Sequence, residues 1–363
     1  RVYDHIGIQL LLNEGKIREE LAEGTLAALA EAGVVSRVLT ENCVSTLKYF
    51  GIFRSEVRLD GDDLIGPAGE RLPRDLGTGL REIEKVCLGD RLANGHVVHA
   101  GFFVGPQDFY DFLHALPDEE RKLFNMTSVG GINQLYWSEE IDTLQRQHAR
   151  FINTCMMATL TGGVVSDGLA DGRVVSGVGG QYNFVAMAHA IENGRSIIKC
   201  RSTRSSGGKV ISNIVPEYGH WTIPRHLRDI LVTEYGIADL RGQIDAEITK
   251  RTICISDSRF QEDLLSHAKR AGKVEQDWMV PEAFQNNLPS RLEKELRPYR
   301  EQRLFGPFPF GTDFTAERSS AWRSAEVPKK AIGWIGDLRI AMESTVGSSS
   351  RGLQALFGED GLG

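Results

Sequence analysis

Cysteine is scarce: the 363 residues contain five, Cys43, Cys87, Cys155, Cys200 and Cys254, each more than forty residues from the next. No Cys-x-x-Cys pair occurs, which excludes a zinc knuckle and a disulfide framework and points to a reducing, cytoplasmic compartment. Basic excess is also lacking. The formal net charge of −7 argues against a general polyanion binder, so no nucleic-acid partner is expected, although a small anionic ligand can still meet a local basic cluster. No apolar run reaches bilayer-spanning length and no leader-like segment is present, so no membrane partner is expected. Gly-Lys-Ser, Gly-x-Ser-x-Gly, His-Glu-x-x-His and Asp-rich ion loops are missing too, which removes phosphate-loop NTPases, serine hydrolases of the nucleophile-elbow type and the common metal sites. His96 and His99 fall on opposite pleat parities of one predicted strand, a poor geometry for sharing an ion. No metal is expected.

What is present suits a globular enzyme, with 41% hydrophobic and 25% charged residues in a chain longer than one compact domain. Residues 8–37 read as helices, with Gly33 at a stop position. Residues 58–82 are rich in Asp, Gly and Pro and read as loops. From 96 to 275 short apolar runs alternate with amphipathic segments, predicting strands at 96–104, 150–154, 173–177, 196–201, 210–215 and 229–233 with helices between them. The fold class is therefore α/β, an open, mostly parallel sheet with flanking helices. Residues 1–95 form a helical or irregular N-terminal region of that domain, and 96–275 its core. Prolines at 281, 289, 298, 307 and 309 predict an irregular arm over 276–363, and the segment from Thr345 a mobile tail.

The strongest local signal is Arg173-Val-Val-Ser-Gly-Val-Gly-Gly-Gln-Tyr-Asn-Phe184. A β-branched run enters Gly177, Gly179 and Gly180, and a helix follows whose Phe184, Met187, Ala188 and Ile191 share one face. Backbone N–H groups at such a helix start can hold a phosphate or a developing oxyanion. A dinucleotide fingerprint fails because Tyr182 stands where its last glycine belongs. A tight turn without a ligand remains the alternative at this point.

The segment resembles the glycine loop of the acetyl-CoA hydrolase/transferase family, Ser-Gly-x-Gly-Gly-Gln-x-Asp-Phe, with Asn183 replacing the usual Asp. Four further stretches resemble that family in order: Arg150-Phe-Ile-Asn-Thr154, Gly207-Gly-Lys-Val-Ile-Ser-Asn-Ile-Val-Pro216, Val232-Thr-Glu-Tyr-Gly-Ile-Ala-Asp-Leu-Arg-Gly242 and Ile255-Ser-Asp-Ser-Arg-Phe260. His99-Ala-Gly-Phe-Phe-Val-Gly105 and Phe308-Pro-Phe-Gly-Thr-Asp-Phe314 resemble a longer bacterial branch.

The resemblance implies a CoA-transferase-like fold of two similar halves, this chain giving the second, and a homo-oligomer. It implies transfer of CoA between small carboxylic acids, with coenzyme A or acyl-CoA as substrate and no permanently bound cofactor. In such enzymes a glutamate attacks the acyl-CoA carbonyl and is carried through an anhydride to a glutamyl-CoA thioester. Asn153 and the backbone at Gly179 and Gly180 are the implied thioester-positioning and oxyanion groups. Gly177, Lys199, Arg204 and Lys209 are the candidate CoA contacts, with Lys209 the preferred phosphate partner. Glu234 reads as structural. Arg225, His226 and Arg228 form a second basic group of open use.

The family's Glu-Met nucleophile motif is absent before residue 100. Glu19 imitates its spacing, but Glu19 and Glu20 read as helix-surface carboxylates. The catalytic glutamate is therefore expected to precede residue 1, in a missing N-terminal half that would be this chain's partner. The alternative function is a non-catalytic CoA-binding or oligomerisation module.

Overall fold

The computed structural model describes residues 1–302, 304 and 305. The expectations for 308–314 and for the tail from Thr345 lie outside the described residues. The chain divides into two compact units, Arg1–Phe151 with Gly179–Ser196, and Ile152–Val178 with Ile197 onward.

In the first unit, helix α1 (Ile6–Asn13) starts where the His5 ring accepts a hydrogen bond from the Ile8 amide. Helix α2 (Thr25–Glu31) ends before Gly33, whose φ of 71° is the left-handed stop expected there. Helix α3 (Glu41–Tyr49) is capped by the Thr40 hydroxyl. Strands β1 (Arg58–Asp60), β2 (Asp63–Ile65) and β3 (Arg71–Pro73) then form an antiparallel meander. The turn-rich composition of this stretch predicts loops. Its strands are three residues long and lie between close turns, so their alternation is too short to read.

Helix α4 (Leu76–Cys87) closes this half of the unit. Its buried Glu84 accepts backbone hydrogen bonds from Gly24 and Leu26, supplying the anionic cap that α2 lacks at Gly24. Tyr3, Ile8, Leu11, Leu29, Phe53 and Ile83 are among the buried residues of its core.

After that core come β4 (Val98–Ala100), α5 (Gln107–Ala115), α6 (Asp118–Arg121), β5 (Phe124–Met126), α7 (Val129–Asn133) and α8 (Glu139–Gln145), with β4 and β5 parallel. Of the predicted 96–104 strand, residues 98–100 pair with β5 and His96 makes an isolated bridge to Val2.

The second unit carries most of the sheet. Strand β6 (Arg150–Thr154) follows its predicted bounds, and β7 (Met157–Thr159) and β8 (Val164–Val165) succeed it. After helix α9 (Gln181–Ala190), which belongs to the first unit, come β9 (Arg195–Lys199), β10 (Thr203–Ser206), β11 (Lys209–Ser212), β12 (Ile214–Val215), β13 (Ile230–Thr233) and β14 (Gly236–Asp239). A four-stranded sheet has the order β14-β13-β9-β6, with β13 parallel to β9 and antiparallel to β14. A three-stranded sheet orders β12-β7-β8, with β12 parallel to β7.

Helices α10 (Asp245–Cys254) and α11 (Ser258–Arg270) follow, and α12 (Pro289–Glu301) occupies chain predicted as irregular. Pro289 stands at the start of α12, where a missing N–H costs nothing, and Pro298 lies close to its end. The fold is α/β with mixed sheets and flanking helices.

The run 173–177 does not form a strand. Its one ladder contact is an isolated bridge between Val174 and Gly168, and Val174 is 75% exposed. The β-branched residues give extended propensity, but propensity needs a neighbouring strand to become a sheet.

Candidate functional site

The glycine turn opens α9. Gly180 is the N-cap residue, and no side-chain cap closes the start of the helix. Gly177 and Gly179 are exposed. Gly179 has φ 59° and nothing within 4 Å of an added Cβ, so a side chain there meets backbone strain rather than a wall. At Gly180 an added Cβ would lie 2.7 Å from Asn133 Nδ2 and 2.8 Å from Phe184 Cε2, so a side chain there would force those two side chains to shift. The helix sits as its periodicity predicts. Met187 and Ile191 are buried with Leu135, and Phe184 stacks on Phe151 at 5.8 Å between ring centroids.

Asn153 lies on β6 among alternating exposed and half-buried residues. Its Nδ2 is buried with no hydrogen-bond partner. An amide donor left this way costs roughly 1–3 kcal/mol unless a ligand accepts from it.

The basic candidates separate by role. Lys199 ends β9, and exposure alternates along Lys199, Cys200, Arg201 and Ser202, which puts both cations on one face as predicted. Residues 203–212 form an antiparallel hairpin rather than a free loop, with Gly207 and Gly208 at φ 56° and 78° in its two-residue turn. Lys209 is exposed beside that turn and pairs with Ser206. Arg204 Nη1 donates to Asn213 Oδ1 and the Ser212 carbonyl, so it fastens the base of its own hairpin. Lys199 and Lys209 are both exposed.

Glu234 accepts from the Ser202 amide at 2.8 Å and the Ser202 hydroxyl at 2.9 Å, a structural tie between the ends of β9 and β13. Arg225 and Arg228 both pair with Asp245 at the start of α10, which gives them a structural use within this unit. Glu19 and Glu20 are not on a helix. They lie in the loop after α1, where Glu20 bridges to Arg91. Partial burial acts to raise the Glu19 carboxyl, and a hydrogen bond from Arg91 acts to lower it. A carboxylate so paired is a poor nucleophile.

One constellation escaped the sequence reading. His220 Nε2 lies 3.0 Å from Asp167 Oδ1, and the Thr222 hydroxyl donates to the same oxygen. The hydrogen bonds from Thr222 and His220 hold the Asp167 carboxyl below its ordinary range. The partners are separated by more than fifty residues and share no motif, so local spacing carries no signal of them.

Residues 105–268 match the acetyl-CoA hydrolase/transferase C-terminal domain. This matched segment contains the glycine turn, Asn153, Lys199, Arg204 and Lys209. Over 258 residues the chain is 30% identical to a probable butyrate:acetyl-CoA coenzyme A-transferase of Syntrophomonas wolfei, covering 70% of this chain and 52% of that one. It is 29% identical over 172 residues to a 4-hydroxybutyrate coenzyme A transferase of Clostridium kluyveri, covering 47% and 37% of the two chains. The crystal structure of RipA from Yersinia pestis aligns at 29% identity with a TM-score of 0.41, over 48% of this chain and 37% of that one. The chain thus spans about half the length of the first relative and little more than a third of the other two. The two curated relatives are named as CoA-transferases.

Proposed function

We propose that this chain is the CoA-handling half of an acyl-CoA transferase that moves CoA between small carboxylic acids through a glutamyl-CoA thioester. The observation that carries this reading is the glycine start of α9 within the matched family segment, with Gly179 exposed at φ 59° and Gly180 at the N-cap. Its N–H groups suit an oxyanion or phosphate. The unpaired Asn153 amide supplies a further donor of the kind a thioester carbonyl needs. A well-aimed oxyanion donor contributes roughly 3–4 kcal/mol in comparable acyl transfers. Lys199 and Lys209 offer exposed cations to CoA phosphates.

The attacking glutamate belongs, on this reading, to a preceding half of the enzyme. Transfer to a second carboxylate is favoured over hydrolysis because the relatives are named as transferases. A cytoplasmic setting fits the substrate and the free cysteines. Among the described residues no helix is long and apolar enough to cross a membrane.

The test is calorimetric titration of the chain with CoA. Gly179→Val and Lys209→Ala are each expected to weaken binding, the first by straining the turn and the second by removing a phosphate partner. Unchanged affinity in both removes these residues from the site. The same chain should show no thioester exchange between acetyl-CoA and a second acid until the preceding half is supplied. Turnover by residues 1–363 alone that is abolished by Glu19→Gln would identify Glu19 as the nucleophile instead.

A further inference from the structure

The approach to the glycine turn is fastened by side chains from a distant loop. Residues 167–175 double back on themselves: Leu169 N donates to the Arg173 carbonyl at 2.8 Å, and Gly168 bridges Val174. The Asp167 carbonyl closes this double-back by accepting from Val175 N at 2.8 Å and Ser176 N at 3.4 Å. The residue after Ser176 is Gly177. Whatever fixes Asp167 therefore fixes the point at which the chain enters the turn.

Two groups from 218–222 hold Asp167 directly, and a third holds Ala170 beside it. Thr222 donates its hydroxyl to Asp167 and accepts from the Ser166 amide at 2.8 Å. His220 places Nε2 3.0 Å from Asp167 Oδ1, and its ring lies so close to Gly168 that an added Cβ would come within 2.7 Å of it. Tyr218 OH accepts from Ala170 N at 2.8 Å. Because an ionised carboxylate only accepts, Nε2 carries the proton in this pairing. The Asp167 side chain is 13% exposed, so its partners are held with little competition from water.

We propose that Asp167, His220 and Thr222 are positioning residues for the CoA-binding glycine turn. They set its entry at Ser176 and Gly177 and through it the affinity for CoA. This rests on the CoA reading above. The acceptor at Asp167 has two donors that can be removed singly, and each removal loosens the double-back without touching a ligand contact.

The experiment compares CoA dissociation constants of the whole chain by calorimetry, well below the melting temperature, for His220→Ala, His220→Gln, Thr222→Val, Thr222→Ser and Gly179→Val. His220→Ala and Thr222→Val are each expected to weaken CoA roughly tenfold. His220→Gln, which returns an N–H near the Nε2 position, and Thr222→Ser, which returns the hydroxyl, should restore affinity to within about twofold. Amide exchange at Val175 and Ser176 should quicken in the two weakened variants and not in the rescued pair.

Affinity unchanged in His220→Ala and Thr222→Val while Gly179→Val weakens binding would overturn the clasp and leave the CoA reading standing. No effect of Gly179→Val either would overturn the CoA reading itself. Should the alanine and valine variants fail to fold, His220→Gln and Thr222→Ser still decide. A tenfold loss in both rescued variants, with normal melting curves, refutes a hydrogen-bonded clasp.

Discussion

Replacing Asn153 by alanine should move stability and ligand affinity in opposite directions. In the free chain the Asn153 Nδ2 is buried without a partner, a desolvation cost of roughly 1–3 kcal/mol. Truncation removes that cost together with the amide's packing contacts, worth about 1 kcal/mol on a half-buried strand residue. The net expectation is a gain of about 1 kcal/mol, read as a rise of roughly 2–4 °C in the melting temperature of a unit this size. Acetyl-CoA binding should meanwhile weaken about tenfold, since a satisfied donor to a thioester carbonyl contributes roughly 1 kcal/mol or slightly more. Differential scanning calorimetry and isothermal titration of the same two proteins give both numbers. A stability loss of about 1 kcal/mol or more with unaltered affinity would mean that Asn153 holds β6 together rather than waiting for a ligand.

Three further outcomes follow from the geometry. Glu84→Ala strips the carboxylate that caps α2 at Gly24 and Leu26 and should cost about 2–3 kcal/mol, with faster amide exchange in α2; a loss below about 0.5 kcal/mol counts against remote capping. Burial alone would raise the Cys43 thiol, but hydrogen bonds from Ser36 and Thr40 bring it down to about 7, while burial pushes Cys87 and Cys254 up to about 11. Iodoacetamide at neutral pH should therefore label Cys43 first, as peptide mapping would read. Burial also acts to raise Asp257, but hydrogen bonds from Arg259 and Tyr235 leave its carboxyl depressed. Its contribution is thus present above the unfolded value of about 4 and lost as pH falls through the folded one. Denaturation of Asp257→Asn against the parent chain should show a gap that narrows below about pH 4, and a gap independent of pH would refute the ion-pair account.

The parts of this fold legible in sequence were those where one period runs long enough to repeat. Helix α9 declared its buried face through Phe184, Met187 and Ile191, and β6, β9 and β13 stood out as apolar runs between breaks. The meander at 58–73 was hidden because strands of three residues complete barely one alternation. Val174 and Val175 misled for the opposite reason, since β-branching states a preference and not a partner. At the site, the glycines were readable because backbone conformation is a local property. The Asp167–His220 pairing was not, because hydrogen bonds made across more than fifty residues leave no trace in spacing. Arg204 was legible as a charge but not as a hairpin fastener, since its acceptors are fixed only once β11 folds back.

The chain changes unit at three places, after Phe151, after Val178 and after Ser196. Neither unit can therefore be released by one cut in the gene. Ending translation at Phe151 leaves Leu135 and Phe151 without the α9 residues that bury them, and starting at Ile152 delivers α9 to a fragment lacking those partners. Limited proteolysis within 152–178 would nick the chain without dividing either core's parts cleanly. The two units are modules in space but not in the genetic message, so they must be inherited, and engineered, as one piece.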